Sequence, residues 1–506
     1  MTLAQVHGAV IAGMTGTVVT VEVDVAAGLP AVGLVGLADT AIGEARQRAR
    51  CAVENSGMKW PMGRVTIGLS PAHVRKHGTG LDLPIAIGVL AAQGQIGKLP
   101  ADFRSWVIVG ELGLDGRVRP IPGAITVACA IQQAGFGTLL LPAEHVAECS
   151  RVPGVQIIGV ESVQQAVQVL LGTDTGLRAS APRTGRAQHH EPDLADVLGQ
   201  PEGRRCLEIA AAGRHSLAMV GPPGVGKTLL AERITGLLPD LAESAAVDVM
   251  AIHALVAGEG FVVGEDLRPP FQAPHHSTSP AALLGSVHGG SVRPGSVSLA
   301  HRGVLFLDEA PEFPRNTLEA LRQPVESGLV SLHRASWSGE VPADFQLIVA
   351  ANPCPCGYYG ARASRDSSTP ICHCPRTIRS NYTARISGPL LDRIDLRLQL
   401  HPIRARSRGE SSATVAERVA EARARALRRW DSANARAAHA VVAAHHLDSA
   451  AQELLDAHLR RSGGLRSTHR ITKVAWTLSD LAGRDRPNRE DVLEAMEWHQ
   501  PLWQEV

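Results

Sequence analysis

Strand-like and helical stretches alternate over the first third of the chain. Runs of strand length, rich in valine and isoleucine, occupy residues 17–25, 64–69, 106–109 and 138–141, and helical stretches occupy residues 40–55 and 121–133. This alternation predicts a mixed α/β domain over residues 1–171. The hydrophobic pattern then disappears, and glycine, proline, serine, threonine and charged residues predict a linker over residues 172–192.

A second α/β pattern follows. Residues 216–220, 304–307 and 346–350 are short apolar runs, as expected of parallel strands that are buried on both faces. They predict a doubly wound parallel sheet over residues 193–401. Alanine, arginine, glutamate and leucine at helical spacing predict a helical domain over residues 407–506.

Composition narrows the class of protein. With 44% hydrophobic and 20% charged residues, the chain is typical of folded globular proteins, and a formal net charge of +1 does not require nucleic acid. The longest apolar run, residues 83–92, is far shorter than the roughly 20 residues that span a bilayer. No basic stretch precedes an apolar run in MTLAQVHGAV, so we expect a cytoplasmic protein with no membrane partner.

Residues 221–228 read GPPGVGKT and fit the phosphate-binding pattern G-x-x-x-x-G-K-[ST] between a predicted strand and a helical stretch at residues 229–237. Backbone N–H groups of such a loop surround a phosphate, the lysine reaches the β- and γ-phosphates, and the hydroxyl ligates Mg²⁺. The alternative is a glycine-rich turn. The predicted nucleotide-binding residues are Gly221, Pro222, Pro223, Gly224, Val225, Gly226, Lys227 and Thr228.

Polar side chains follow the next two apolar runs. Asp308 and Glu309 end the run VLFLDE, and a buried strand would carry them to the carboxyl edge of the sheet, where ligands bind. There Asp308 is placed to hold Mg²⁺ and Glu309 to orient and deprotonate the attacking water. Asn352, after the following strand, can hydrogen-bond the water and the γ-phosphate. The alternatives are a solvated acidic turn and an ordinary Asn-Pro turn.

Five stretches resemble the ComM/YifB family of magnesium-chelatase-like AAA+ ATPases. They read DLADVLGQPEGRRCLEIAAAGRHSLAMVGPPGVGKT, RPPFQAPHHSTSPAALLG, SLAHRGVLFLDEAPEF, LIVAANPCPCGYYG and SGPLLDRIDL. The resemblance covers nearly the whole chain. It implies a P-loop AAA+ core with a helical lid, ATP and Mg²⁺ as cofactors, and a homohexameric ring that binds ATP between subunits.

The resemblance also implies that Arg393 is an arginine finger, which would stabilise charge on the γ-phosphoryl group of the neighbouring subunit. The alternative is a surface arginine that pairs with Asp392 or Asp395. Arg466 matches the sensor-2 arginine of the lid, and Arg470 is a second candidate. Nearby, Leu465 and Trp476 stand where the family pattern has serine and arginine.

Residues 325–341, VESGLVSLHRASWSGEV, consist of two strand-like halves and predict a β-hairpin. In related helicase and chelatase rings, a hairpin just before the asparagine strand points into the pore. His333, Arg334 and Trp337 are then candidates for gripping a threaded polymer. The alternative is an exposed hairpin without a partner.

The N-terminal domain resembles the proteolytic domain of Lon proteases, a fold similar to ribosomal S5 domain 2. The stretches RKHGTGLDLP and GELGLDGRVRPIPG carry the resemblance. Gly80 stands at the position of the catalytic serine and Ile125 at that of the catalytic lysine. Because neither can act as nucleophile or base, we expect the fold without the peptidase activity.

Four cysteines are clustered in two C-x-C pairs, Cys354 and Cys356, then Cys372 and Cys374. In a reduced compartment, four thiols at this spacing predict a structural tetrahedral Zn²⁺ site, with His373 able to replace one thiol. The alternatives are a metal-free loop and a redox-labile pair. His275 and His276 also resemble a metal pair, but a hydrogen-bonded loop is the preferred interpretation because no third ligand is evident.

Through the resemblance, the first functional hypothesis is a ring helicase that uses ATP to drive branch migration of branched or single-stranded DNA during recombination and natural transformation. The second is a magnesium-chelatase-type motor subunit that remodels a porphyrin-loading partner. The third is an ATP-dependent protein remodeller whose N-terminal domain recruits substrates.

Overall fold

The computed structural model describes residues 2–36, 40–71, 78–97, 99–178, 192–256, 267–288, 291–334, 337–360, 371–402, 407–462 and 464–503. Residues 179–191, most of the predicted linker, lie outside the described residues. The linker therefore stays a prediction.

The strands and helices of the described residues are numbered along the chain. The strands are β1 (Thr2–Ala12), β2 (Thr15–Ala26), β3 (Ala31–Val35), β4 (Arg64–Ser70), β5 (Trp106–Ile108), β6 (Glu111–Leu112), β7 (Val118–Arg119), β8 (Thr138–Pro142), β9 (Gln156–Val160), β10 (Leu217–Val220), β11 (Phe271–Gln272), β12 (Gly285–His288), β13 (Ser291–Pro294), β14 (Val304–Leu307), β15 (Leu329–Arg334), β16 (Trp337–Pro342), β17 (Gln346–Ala351) and β18 (Leu396–Gln399). The helices are α1 (Thr40–Asn55), α2 (Asp82–Ala92), α3 (Ala124–Gln133), α4 (Val146–Cys149), α5 (Val163–Leu170), α6 (Pro201–Gly213), α7 (Lys227–Glu232), α8 (Glu243–Ala254), α9 (Pro280–Leu284), α10 (Ser296–Leu299), α11 (Arg315–Ala320), α12 (Arg322–Ser327), α13 (Arg376–Thr383), α14 (Gly388–Leu391), α15 (Ser412–Trp430), α16 (His439–Ala443), α17 (Ser449–Ser462), α18 (Leu465–Leu481) and α19 (Arg489–Glu497).

A seven-stranded mixed sheet forms the N-terminal part, in the order β3-β4-β2-β1-β5-β8-β9. Strand β2 has the period of two that a half-buried strand requires, because Val19, Val21 and Val23 are fully buried and their neighbours are more exposed. Helices α1 and α2 pack in the hydrophobic cluster on one face of the sheet, and α3 packs in the cluster on the other.

A five-stranded, wholly parallel sheet forms the centre of the second part, in the order β11-β14-β17-β10-β18. Every residue of β10, β14 and β17 is buried, which explains why these strands read as continuous apolar runs. The predicted fold class, a P-loop AAA+ sheet between an α/β domain and a helical C-terminal region, is confirmed. The helix predicted at residues 229–237 is shorter: α7 ends at Glu232, before Gly236 and Pro239.

The two sheets are joined by direct packing. Helix α3 lies against α8, where Val247 and Met250 enter the hydrophobic cluster of the N-terminal part and Thr126 Oγ1 donates to the carbonyl of Ala251 at 3.3 Å. The ring of Trp337, on the β15–β16 hairpin, lies against the turn between β1 and β2 at Gly13, where a Cβ would collide with it. The N-terminal part is therefore joined to the part that contains the parallel sheet at these two points.

In the C-terminal region, α15 and α18 pack on α6, and α17 and α19 pack on α18. A capping box between Asn488 and Asp491 begins α19. Asp480 of α18, which is 2% exposed, accepts hydrogen bonds from Arg429 and from Asn434. Within the described ranges, no helix has both the length and the apolar character needed to cross a membrane.

Candidate functional site

The predicted phosphate-binding loop joins the end of β10 to the start of α7. Gly224 and Gly226 have φ angles of +74° and +98°, which only glycine adopts without strain. At Gly221, a Cβ would lie 2.8 Å from the carbonyl oxygen of Leu400, so the close approach of the residue that follows β18 also requires glycine. The glycine pattern of the motif is therefore explained by the local backbone.

Lys227 lies at the centre of the loop and is 8% exposed. Its Nζ donates to the carbonyl oxygens of Gly221 and Pro222, at 2.7 and 3.0 Å, and to Oδ1 of Asn352 at 3.0 Å. Burial lowers the pKa of Lys227 below its ordinary value, and the carboxylates of Asp308 and Glu309 oppose this shift. An anionic phosphate beside Nζ would favour the charged ammonium.

Thr228 and Asp308 meet across the same edge of the sheet. Thr228 Oγ1 donates to Oδ2 of Asp308 at 2.7 Å, and Oδ1 of Asp308 accepts the backbone N–H of Glu309 at 2.9 Å. Two oxygen ligands at neighbouring positions around Mg²⁺ lie about 3.0 Å apart, for bonds of about 2.1 Å. The hydroxyl and the carboxylate therefore fit as two ligands of one magnesium ion.

Glu309 begins the turn after β14 in a left-handed conformation, with a φ of +49°. Its side chain is 54% exposed, and Oε2 lies 3.6 Å from Nδ1 of His276. His275 bonds to Ser277 Oγ at 2.8 Å, in agreement with a hydrogen-bonded loop rather than a metal pair. The proximity of His276 to Glu309 was not expected from the sequence, because these two residues belong to separate stretches of the chain.

Gln200 is a second residue that sequence reasoning missed. Its side-chain amide donates to the carbonyl oxygens of Val225, at 3.2 Å, and of His401, at 2.8 Å. It thereby ties the segment before α6 to the phosphate-binding loop and to the end of β18. Its place in the stretch DLADVLGQ was the signal that could have identified it.

Arg393 lies at the other edge of the sheet. Ser216, which precedes β10, donates its hydroxyl to the carbonyl oxygen of Arg393 at 2.9 Å. A four-residue strand separates this edge from the phosphate-binding loop by about 13 Å. The guanidinium Nε donates to Glu326 of α12 at 3.2 Å, so the predicted alternative of a pair with Asp392 or Asp395 is not what the structure describes.

Arg466 and Arg393 line one cavity of about 270 Å³ at this amino edge. Its arginine and lysine residues are Arg214, Arg393, Arg436, Arg466, Arg470 and Lys473. The exposed Arg466 is therefore not beside the phosphate-binding loop of its own chain. Arg470, the second candidate, binds Oδ1 of Asp395 at 2.7 Å. Burial raises the pKa of Asp395, but His215, Arg470 and Lys473 outweigh this and hold it well below its ordinary value.

The four clustered cysteines come together after β17. The Sγ atoms of Cys354, Cys356, Cys372 and Cys374 all lie within 4.8 Å of one another, and His373 is not a member of this group. The cluster could hold a metal ion. It begins two residues after Asn352, and therefore lies next to the phosphate site.

The N-terminal part places the two protease-like positions in ordinary structural roles. The carbonyl of Gly80 accepts the N–H of Gly110 at 3.0 Å, and Ile125 is fully buried in α3. Asp82, in the stretch that resembles the serine segment of Lon, is also fully buried and pairs with Arg48 Nε at 2.6 Å. These contacts support packing rather than peptidase chemistry.

The predicted hairpin is present as β15 and β16. His333 Nδ1 lies 2.6 Å from Ser338 Oγ, across the two strands. Residues 335–336, and the side chain of Arg334, lie outside the described structure. Trp337 packs on the turn at Gly13 of the same chain, so this candidate for gripping a polymer already has a contact within the protein.

Three family models match almost the whole chain. The magnesium chelatase subunit ChlI model matches residues 193–408, the model of subunit ChlI of Mg-chelatase matches residues 21–145, and the ChlI C-terminal model matches residues 409–499. The first match covers the parallel sheet, the second lies within the N-terminal part, and the third covers the C-terminal helices.

Two relatives match over nearly their full length. The chain is 40% identical to YifB of Escherichia coli, over 98% of this chain and 97% of that protein. It is 37% identical to the competence protein ComM of Haemophilus influenzae, over the same shares. A shorter match, 27% identical over 186 residues, is to Lon protease 2 of Bacillus subtilis and covers 32% of each chain.

Proposed function

The chain belongs to the ComM/YifB family of magnesium-chelatase-like AAA+ ATPases, and from this premise we propose a ring motor that hydrolyses ATP to drive branch migration of DNA junctions. One observation carries the ATPase part of this proposal. Lys227, Thr228, Asp308 and Asn352 form hydrogen-bonded pairs at the carboxyl edge of one parallel sheet.

Each residue of this edge has its own role in the proposed ATP hydrolysis. Lys227 binds the β- and γ-phosphates, while Thr228 and Asp308 hold Mg²⁺, which would neutralise charge on the phosphates. Glu309 takes the proton of the attacking water, and Asn352 orients that water and the γ-phosphate. His276 is well placed to position Glu309, because their side chains face each other.

The separation of the two edges supports a ring. Arg393 and Arg466 line a basic cavity on the edge opposite the phosphate-binding loop. One chain therefore cannot bring these arginines to its own γ-phosphate. In a closed ring with head-to-tail contacts, the basic edge of each subunit meets the nucleotide of the next. We assign both arginines to the neighbour's ATP, in a homohexamer.

The DNA part of the proposal rests on relatives and on the hairpin. ComM is named a competence protein, and competence is the uptake of external DNA. The β15–β16 hairpin comes just before β17, and Asn352 follows the end of β17, so one strand connects the hairpin to the proposed γ-phosphate contact. Movement of this hairpin in the pore is the step that would displace DNA in the cytoplasm.

The division of the chain into functional parts is also proposed. We assign residues 1–171 to an inactive protease-like domain, residues 193–401 to the ATPase core with its hairpin and cysteine cluster, and residues 407–506 to the helical lid. In this scheme the N-terminal domain moves together with the hairpin, because Trp337 of the hairpin packs against the turn at Gly13 of that domain.

ATP turnover by the full chain tests the DNA assignment. We expect a four-way or forked DNA junction to raise turnover severalfold above the rate with linear duplex, and labelled junctions to be converted to migrated products. Glu309→Gln is the control for contaminating ATPases and helicases. Unchanged turnover and unmigrated junctions would contradict the assignment. Stimulation by porphyrin with a chelatase partner, or by unfolded protein, would favour the other two hypotheses.

A further inference from the structure

The sulfur atoms of the cysteine cluster are spaced as ligands of one ion. Cys354 Sγ lies 3.3 Å from Cys356 Sγ and 3.6 Å from Cys372 Sγ, and all four sulfurs lie within 4.8 Å of one another. Around tetrahedral zinc, with bonds of about 2.3 Å, sulfur atoms are about 3.8 Å apart. The cluster thus has the ligand number, ligand type and size of a closed zinc site.

The cluster joins the asparagine strand to the helix that follows. Cys354 is fully buried just after β17, and Cys374 comes just before α13. Arg379 of α13 donates to the carbonyl oxygen of Cys374 at 3.2 Å, and its guanidinium lies 4.0 Å from the centre of the Tyr359 ring. These contacts hold the start of α13 against the first C-x-C turn.

The same turn rests on the phosphate-binding loop. Gly357 has a φ of +84°, and its N–H donates to the carbonyl oxygen of Cys354 at 2.9 Å. A Cβ on Gly357 would lie only 2.5 Å from Cδ of Pro223. The cysteine turn is therefore in contact with the phosphate-binding loop through Pro223, and only Pro353 separates Cys354 from Asn352 in the chain.

We propose that the four cysteines bind one Zn²⁺ as thiolates, and that this ion holds Asn352 and Pro223 in the positions that ATP hydrolysis requires. The proposal deepens the proposed ATPase function and rests on it. Each thiol releases its proton to solvent when the metal binds, and no oxidation or reduction takes place. With four protein ligands, the ion has no open position for water or substrate, so its role is to position residues.

Metal analysis tests the site without reference to ATP. We expect the full chain, purified without chelators, to contain about one zinc ion per chain, and Cys372→Ser to contain almost none. The matched control is Cys51→Ser, a partly exposed cysteine of α1 outside the cluster, which should keep its zinc. Cobalt in place of zinc should show thiolate-to-cobalt charge-transfer absorption. A zinc-free wild-type chain, or a disulfide between Cys354 and Cys356, would overturn the metal site.

Removal and return of zinc on the same polypeptide tests the coupling. A mercurial reagent followed by reductant and chelator should release the ion and lower ATP turnover by about a hundredfold, as expected when a catalytic group is misplaced by about 1 Å. Added Zn²⁺ should restore the rate. Unchanged turnover of the zinc-free chain would overturn the coupling, whereas a zinc-loaded chain with no ATPase activity would refute the ATPase proposal instead.

A pair of glycine substitutions isolates the contact with Pro223. Gly357→Ala should retain zinc but lose turnover, because its methyl group would displace the phosphate-binding loop. Gly360→Ala is the matched control, since Gly360 also has a positive φ, +74°, but a Cβ there would meet nothing within 4 Å. Equal turnover of the two zinc-loaded variants would contradict transmission through this contact.

Discussion

Replacement of Arg393 by alanine is expected to lower ATP turnover by about 10³–10⁵-fold, the range found for arginine fingers. The guanidinium lies at the amino edge of the sheet, away from the phosphate-binding loop of its own chain, and in the proposed ring it acts on the neighbour's ATP. Nucleotide binding should persist, because Lys227, Thr228 and Asp308 are untouched. Steady-state turnover and equilibrium binding of labelled ATP measure the two quantities separately.

Mixing two inactive variants shows whether Arg393 acts between subunits. Arg393→Ala retains its phosphate-binding loop, and Lys227→Ala retains its arginine. In random rings, about a quarter of the head-to-tail interfaces would combine both intact parts and recover activity. No recovery in rings shown to be mixed would contradict action between subunits. Glu326→Gln is the control for the ion pair with Arg393: it should leave turnover nearly unchanged.

Glu309→Gln is expected to lower turnover by about 10²–10⁴-fold, the usual contribution of a general base. The amide keeps the size of the side chain but cannot accept the proton of water. Asp308 keeps its bonds to Thr228 and to the N–H of residue 309, so Mg·ATP should remain bound. Rapid-quench measurement of a single turnover reports the chemical step directly.

Glu312→Gln provides the matched control for Glu309. Glu312 lies in the same exposed turn, and its carboxylate meets Arg385 rather than the phosphate site. Its substitution should leave turnover near the wild-type rate. Equal losses for the two variants would mean that the turn needs acidic charge, and the assignment of Glu309 as the base would fail.

The parallel sheet, and the residues that gather at its carboxyl edge, were predictable because the sequence patterns that indicate them are local. Continuous apolar runs indicated strands buried on both faces, and each run ended at a residue of the site. In a parallel sheet the ends of neighbouring strands share one edge, so Lys227 and Asn352 had to lie close together. The motif and the topology rule predicted that these residues share one edge, and the structure describes Lys227 paired with Asn352 and Thr228 paired with Asp308 there.

Contacts made by side chains far apart in sequence were not predictable. Arg393 pairs with Glu326 instead of a nearby aspartate, and Arg470 is held by Asp395, which no pattern along α18 reveals. Trp337 packs on Gly13, which lies in a distant part of the chain. The hydrophobic pattern of either part gives no information about the other. Such contacts depend on how elements are arranged in space, which hydrophobic periodicity does not specify.

Equilibrium binding of a fluorescent ATP analogue, with Mg²⁺ present, tests most directly whether this edge holds a nucleotide. The wild-type chain and Lys59→Ala, an exposed lysine of the N-terminal part, should bind it equally well. Lys227→Ala should bind it at least about tenfold more weakly, because a charge-assisted bond to phosphate is lost. Failure of the wild-type chain to bind, or equal affinity of Lys227→Ala, would contradict the assignment of this loop as the nucleotide site.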